Sequence, residues 1–148
     1  VVLNTFSKAW GCAGIRLGMA FASKDIIGYF NKVKYPYNIN ILTMQEADEM
    51  LSQRFEVDKW VSIILEERGR LADAVSILPY CKKVYPTDSN FFLAKFDDAT
   101  KLYNYLVSSG IIVRNRSNVK LCGNCLRITV GSQTENTQLL SAMRKYKH

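Results

Sequence analysis

Apolar positions near the start of this 148-residue chain form two short runs. The segments "VVLN" at 1–4 and "RLGMAFAS" at 16–23 are apolar and partly β-branched, which is typical of buried strands. Ser23 is a suitable N-cap for a helix beginning "KDIIGYFNKV". This helix must end near Pro36, because proline disfavours helical geometry in the residue before it. The pattern therefore predicts two strands, separated by a loop, and then a helix.

The middle of the chain has helical periodicity. Apolar residues recur every three or four positions over 41–55 and again over 57–78, which predicts two substantial amphipathic helices. On the second helix, Arg68 and Arg70 are expected to belong to a solvated face.

The last third alternates between strand and helix patterns. After Pro79 and Pro86, which indicate a connection, "NFFLAKF" predicts a strand and "DDATKLYNYLVSSG" a helix ending at Gly110. The segments "IIVRNR" and "CLRITVG" predict two more strands, and "TENTQLLSAMRKYK" a final helix with Thr134 as its N-cap. This order predicts an α+β layer in which helices pack against one antiparallel-rich sheet.

The amino-acid composition is compatible with the predicted α+β fold. With 48% hydrophobic residues the chain can form a core, and its net charge of +7 is scattered, since the longest basic run is Lys82-Lys83. Small anionic ligands, held by a few placed arginines, fit this charge as well as nucleic acid does. No apolar run approaches the roughly 18 residues of a membrane span, and no signal peptide opens the sequence. We expect a cytoplasmic protein without a nucleic-acid or membrane partner.

The four cysteines include the spacing "CGNC" at 122–125. A structural zinc site needs four ligands, and the one histidine is the terminal His148, so we expect no metal. A redox dithiol should begin a helix, whereas the residues after Cys125 alternate like a strand. We interpret the cysteines as loop and core residues of a reducing compartment.

The segment "LNTFSKAWGCAGIRLG" at 3–18 carries the candidate chemistry. Lys8 offers an amine that can form an imine with an aldehyde, while Thr5, Ser7 and Arg16 offer hydroxyls and a guanidinium to a phosphate. The glycines of the segment let the backbone approach a ligand closely. Pyridoxal 5'-phosphate requires both an imine partner and an anion site. The alternative is that Lys8 is an ordinary solvated lysine.

The same segment resembles the cofactor-lysine segment of the fold-type I aminotransferases, with the pattern [ST]-x-S-K-x-x-x-x-x-G-x-R-x-G. It is most similar to that of the histidinol-phosphate aminotransferase family. The resemblance implies that Lys8 binds pyridoxal 5'-phosphate covalently and that Thr5, Ser7 and Arg16 bind its phosphate. The later segments "KYPYNIN", "GIIVRNR" and "CLRITVG" follow in the order of the family, so the resemblance covers nearly the whole chain.

In that family, two arginines from the last strands hold the anionic group of the substrate, which implies Arg114 and Arg127. Judged by the residues alone, Arg127 lies in an otherwise apolar strand and needs a partner or a ligand, so a structural ion pair is the alternative. Arg114 neighbours Arg116 in "RNRS", and its alternative is the exposed end of a strand.

The resemblance implies an amino-group transfer between histidinol phosphate and 2-oxoglutarate that yields imidazole-acetol phosphate and glutamate in histidine biosynthesis. It also implies a homodimer. An enzyme similar to threonine-phosphate decarboxylase, acting on another phosphorylated amino acid, is one alternative, and an aromatic aminotransferase is another. A third is a catalytically inert module that self-associates or binds anions.

The family also requires an aspartate at the pyridine nitrogen and an aromatic residue on the ring face, and only seven residues precede Lys8. We therefore expect the sequence to be the C-terminal part of a larger enzyme and to be inactive alone. Residues 1–35 are expected to be a remnant of the large pyridoxal-phosphate domain, containing the lysine loop, the two strands beside it and the first helix. Residues 36–148 are expected to form the small domain.

Overall fold

The computed structural model describes residues 1–147, which divide into two compact units with the division after residue 61. One long helix, α3 (Arg54–Ser76), begins in the first unit and continues into the second. The domain boundary expected between residues 35 and 36 stays a prediction. Within residues 1–147, no helix is long and apolar enough to cross a membrane.

The first unit contains the predicted strands and helices, but the expected burial of the two strands is wrong, because all of β1 and both ends of β2 are exposed in this chain. Its strands pair as an antiparallel hairpin in which Thr5 lies opposite Gly18, and a short 3-10 helix, Ala13–Ile15, lies in the loop between them. Asn40 begins the second helix by accepting a hydrogen bond from the backbone N–H of Thr43 at 2.9 Å. The elements are β1 (Val2–Thr5), β2 (Gly18–Phe21), α1 (Lys24–Val33) and α2 (Ile41–Ser52).

The second unit is the predicted antiparallel sheet with packed helices, and the α+β fold is confirmed. Its strands have the order β3-β4-β6-β5, and every neighbouring pair is antiparallel. The sequence pattern did not predict β3 (Cys81–Val84), which lies between Pro79 and Pro86, where a connection was expected. Its residues form a strand because they pair with β4 and not because of their local propensity. After α3 the elements are β3 (Cys81–Val84), β4 (Phe91–Phe96), α4 (Ala99–Ser108), β5 (Arg114–Asn115), β6 (Cys125–Thr129) and α5 (Gln133–Lys145).

One face of this sheet forms the core of the second unit. Strand side chains alternate between faces, and every second residue of β4 and β6 is buried in this core. The residues between them, including Arg127, lie on the opposite face. Cys125, on that opposite face, is buried as well. The sheet residues in the core include Phe92, Ala94, Phe96, Leu126 and Ile128, and they join helix residues that include Leu71, Val75, Leu102, Leu106 and Met143.

The start of α5 corrects the predicted N-cap. Ser132, not Thr134, caps this helix, because its hydroxyl accepts a hydrogen bond from the backbone N–H of Glu135 at 3.3 Å. The Glu135 carboxylate accepts the backbone N–H of Ser132 in return at 2.7 Å. This reciprocal pair requires a glutamate three residues after the cap, a spacing that Ser132 has and Thr134 lacks.

The solvated face expected at Arg68 and Arg70 is wrong in part. Arg70 donates two hydrogen bonds to the buried Glu67 carboxylate, at 2.9 and 2.7 Å, and Arg68 donates to the Ser89 carbonyl at 2.9 Å. The side-chain amide of Asn136 on α5 donates to Glu67 at 2.8 Å. The hydrogen bonds from Arg70 and then from Asn136 lower the pKa of Glu67. These residues tie α3 to α5.

Candidate functional site

Backbone hydrogen bonds hold the loop that carries Lys8. The Phe6 N–H donates to the Leu17 carbonyl at 3.3 Å, and the Cys12 N–H donates to the Phe6 carbonyl at 3.0 Å. The Gly11 N–H donates to the carbonyl of Lys8 at 2.9 Å. Gly11 has a φ of 68°, in the left-handed region that glycine adopts without strain. The backbone on both sides of Lys8 is therefore fixed by local contacts.

An apolar contact between Phe6 and Trp10 also holds the loop that carries Lys8. Phe6 is 4% exposed, and its ring lies 5.3 Å from the ring of Trp10, measured between centroids. Ser7 is half-buried and Lys8 is exposed. Within residues 1–147, the Lys8 amine makes no hydrogen bond or ion pair, so it is available to a ligand.

The structure brings the hydroxyls of Thr5 and Ser7 together, with their oxygens 2.9 Å apart. The Thr5 hydroxyl also donates to the Leu17 carbonyl at 3.0 Å, and it accepts the Ser7 N–H at 3.1 Å. These bonds place the hydroxyl pair beside the residue that follows Arg16. The Arg16 guanidinium donates to the Ala13 carbonyl at 2.8 Å. All four predicted residues of this loop are thus held in one short segment.

Arg16 has an unusual backbone conformation, with a φ of 56° and a ψ of 38°. A residue with a β-carbon pays roughly 1 kcal/mol or more in this left-handed region. The strained residue ends the 3-10 helix and turns the chain into β2. Strained residues are common at ligand sites, which fits a binding role for this turn.

In the second unit, the predicted substrate arginines lie side by side. Arg114 on β5 is directly opposite Arg127 on β6, so both side chains lie on the same face of the sheet. The Arg127 guanidinium lies over the Phe91 ring, 4.7 Å from its centroid. Its Nε atom is buried and has no hydrogen-bond partner in the described part of the chain. A buried donor without a partner is costly, and a ligand can satisfy it.

Among the described residues, the two charges that act on Arg127 are both positive. Burial, followed by repulsion from Arg114 and Arg116, lowers the pKa of Arg127. Among residues 1–147, no ion pair joins any of these three arginines to a carboxylate. The structural ion pair considered for Arg127 is therefore not found, and the cluster lacks a counter-ion.

Two neighbouring residues were missed as site candidates. Arg116 was considered only because its presence beside Arg114 suggested the exposed end of a strand. Arginines at every second position of a strand, however, lie on the same face. The Ser117 hydroxyl oxygen is buried without a partner in the part of the chain that the structure describes. Its position after the strand gave no signal, because burial of a single serine cannot be read from local sequence.

All four cysteines lie within the described residues. Cys12, Cys81, Cys122 and Cys125 are free thiols, and within residues 1–147 no group of three or more potential ligands could hold a metal ion. Burial raises the pKa of the Cys81 and Cys125 thiols, which makes them poor nucleophiles.

Curated proteins similar to this chain are longer than it is. The histidinol-phosphate aminotransferase of Bacteroides fragilis is 58% identical over 147 residues, covering 99% of this chain and 43% of the relative. That of Cytophaga hutchinsonii is 49% identical over 146 residues, covering 99% and 42%. The chain thus spans less than half the length of the curated relatives it matches.

A solved structure and a family profile agree with this similarity. The histidinol-phosphate aminotransferase from Clostridium acetobutylicum matches with a TM-score of 0.86 at 24% identity, covering 96% of this chain and 44% of that chain, which confirms the expected fold. The profile described as aminotransferase class I and II matches residues 1–143. The chain therefore belongs to the class I and II aminotransferase family.

Proposed function

We propose that this chain supplies the cofactor lysine and the substrate-anion arginines of a histidinol-phosphate aminotransferase. The reaction moves an amino group between histidinol phosphate and 2-oxoglutarate. The observation that carries the proposal is the arginine cluster around Arg127, which has a buried donor without a partner and no counter-ion within residues 1–147. The name and 58% identity of the Bacteroides fragilis relative support the choice of substrate.

The lysine loop fits pyridoxal 5'-phosphate. Residues 3–18 contain no carboxylate that would repel a phosphate. Thr5 and Ser7 offer adjacent hydroxyls and Arg16 offers a guanidinium, so these three would hold the phosphate. When bound, the cofactor supplies an aldehyde for the amino group and a ring that stores the electron pair of the carbon beside it.

Lys8 has two functions in this proposal. Its Nζ atom, which has no partner within residues 1–147, would hold the cofactor through the aldehyde with loss of water. As a free amine, the same group would accept the proton from the substrate carbon that bears the amino group and would return it later as an acid. Held backbone on both sides of Lys8 keeps the amine in place for both steps.

Arg127 and Arg114 bind and orient the anionic group of the substrate. A guanidinium offers several N–H donors in a planar fork, which suits both a phosphate and a carboxylate. An anion would satisfy the buried Nε of Arg127 and offset the repulsion between the two arginines. One cluster can therefore serve the phosphate of one substrate and the carboxylate of the other.

The test is an activity assay on the full-length protein with histidinol phosphate and 2-oxoglutarate, measuring glutamate formation. We expect turnover in the wild type, no detectable turnover in Lys8→Ala, and near wild-type turnover in Lys24→Ala, a control that removes another exposed lysine. Carbon dioxide released from threonine phosphate without glutamate formation would instead support a decarboxylase. Equal turnover of aromatic amino acids would support an aromatic aminotransferase.

We also propose a cytoplasmic homodimer, with the domain boundary between residues 35 and 36. Light scattering of the full-length protein tests the dimer, and a monomeric mass at micromolar concentration would contradict it. Limited proteolysis tests the boundary, because a cut near residue 35 is expected before any cut within residues 36–148. A first cut near residue 61 would contradict it.

A further inference from the structure

The residue after β5 is held as firmly as the strand itself. The Arg116 N–H donates to the Cys125 carbonyl at 2.9 Å, which continues the pairing of β5 with β6 by one residue. The Arg116 carbonyl accepts the N–H of Val119 at 2.8 Å. Both backbone polar groups of Arg116 are thus satisfied. Its position is therefore fixed although it lies outside the two-residue strand.

Strand alternation puts Arg116 on the face of Arg114 and Arg127. Arg114 pairs with Arg127 and Asn115 with the buried Leu126, so Asn115 belongs to the core face. Arg116, one residue further, returns to the face opposite the core. Three guanidinium groups therefore share one face of the sheet, at the end where β5 and β6 pair.

Among the described residues, this face is rich in positive charge. Asp97 follows β4 on the same face, but its carboxylate pairs with Lys82 at 2.8 Å and not with the arginines. The β4 residues on the same face are Phe91, Leu93 and Lys95, none of which is acidic. Arg116 is half-buried, and within residues 1–147 its guanidinium makes no hydrogen bond or ion pair. Its effect on the pKa of Arg127 shows that the two cations repel each other. Such a cluster is unfavourable unless an anion joins it.

The amount of charge favours one anion over another. A phosphate monoester carries about −1.5 to −2 charges near neutral pH and has three acceptor oxygens, whereas a carboxylate carries one charge and has two oxygens. Two arginines provide enough charge and enough N–H donors for a carboxylate. A third arginine strengthens binding most for a phosphate, which has more negative charge and a third acceptor oxygen. We infer that Arg116 is a third anion-binding residue of the substrate site and selects phosphate over carboxylate substrates. This inference rests on the proposed function.

The test compares Arg116→Gln with wild-type full-length protein for each substrate. We expect kcat/KM for histidinol phosphate to fall about 10- to 100-fold, the value of a charge-assisted hydrogen bond, and that for 2-oxoglutarate to fall less than about threefold. Arg116→Lys should recover part of the loss, because it keeps the charge but not the planar fork. Arg144→Gln on α5 removes the same charge from an exposed position and should change neither value.

Equal losses for both substrates, or no loss for either, would overturn the inference. Thermal unfolding of each variant checks that the fold is retained. If the wild type forms no glutamate from histidinol phosphate, this result contradicts the proposed function but does not by itself contradict the inference about Arg116. Calorimetric titration with inorganic phosphate and with acetate then decides the inference, which requires that Arg116→Gln weakens phosphate binding alone.

Discussion

Replacing Arg127 with methionine is expected to leave stability nearly unchanged while it removes most activity. Methionine keeps an apolar side chain on the same face of the sheet, so the change mainly removes the guanidinium. Within residues 1–147, the attractive contact of that group is with the Phe91 ring at 4.7 Å, which contributes about 0.5–2 kcal/mol. Removing a half-buried charge that Arg114 and Arg116 repel offsets this loss. The unfolding free energy should therefore change by less than about 1 kcal/mol.

The effect on catalysis is expected to be larger. If Arg127 donates hydrogen bonds to a substrate phosphate or carboxylate, each contributes about 1.5–3 kcal/mol because the partners are charged. Losing one such bond lowers kcat/KM about 10- to 150-fold. The loss should appear for both substrates, since both anionic groups use Arg127.

Two measurements on the full-length protein check this prediction: urea unfolding and steady-state kinetics with each substrate. Phe91→Leu is the matched control, because it removes the ring contact and leaves the guanidinium in place, and we expect it to retain most of kcat/KM. A loss of about 3–5 kcal/mol in Arg127→Met, as on breaking a buried ion pair, would refute the reasoning. So would an unchanged kcat/KM.

Three further predictions concern the second unit. Asn136→Leu leaves the backbone N–H and carbonyl of Gly131 without their side-chain partner and should cost about 2 kcal/mol in urea unfolding; an unchanged midpoint would count against this. Ser132→Ala removes the cap of α5 and should cost about 1 kcal/mol, with the Thr134→Ala control costing much less. Because the folded pKa of Glu67 is lowered, its contribution is complete above the ordinary value of 4.5 and is lost as the pH falls through the folded value. Thermal melts of Glu67→Gln should therefore depend less on pH in that acidic range than wild-type melts.

The lysine loop could be predicted from sequence because its chemistry is local. Thr5, Ser7, Lys8 and Arg16 occur within twelve residues, and the contacts that hold them also occur within the loop. The α4 and α5 helices were predicted for a similar reason, since a helix places its apolar stripe through a short period.

Contacts between distant segments could not be predicted. Glu67 and Asn136 are 69 residues apart, and a glutamate on a helix gives no signal that it will be buried beside an amide from another helix. The register of β5 against β6 is also non-local, so the sequence could not show that Arg116 shares a face with Arg127. β3 was missed because its hydrogen bonds to β4 outweigh its weak pattern.

The cofactor lysine is central to the proposed activity. The direct test is to incubate the full-length protein with pyridoxal 5'-phosphate, reduce it with borohydride, and map the modified lysine by peptide mass spectrometry. We predict one equivalent of cofactor on the peptide that contains Lys8 and no modification of that peptide in Lys8→Ala. Cofactor found on another lysine, or no stable modification, would contradict the account.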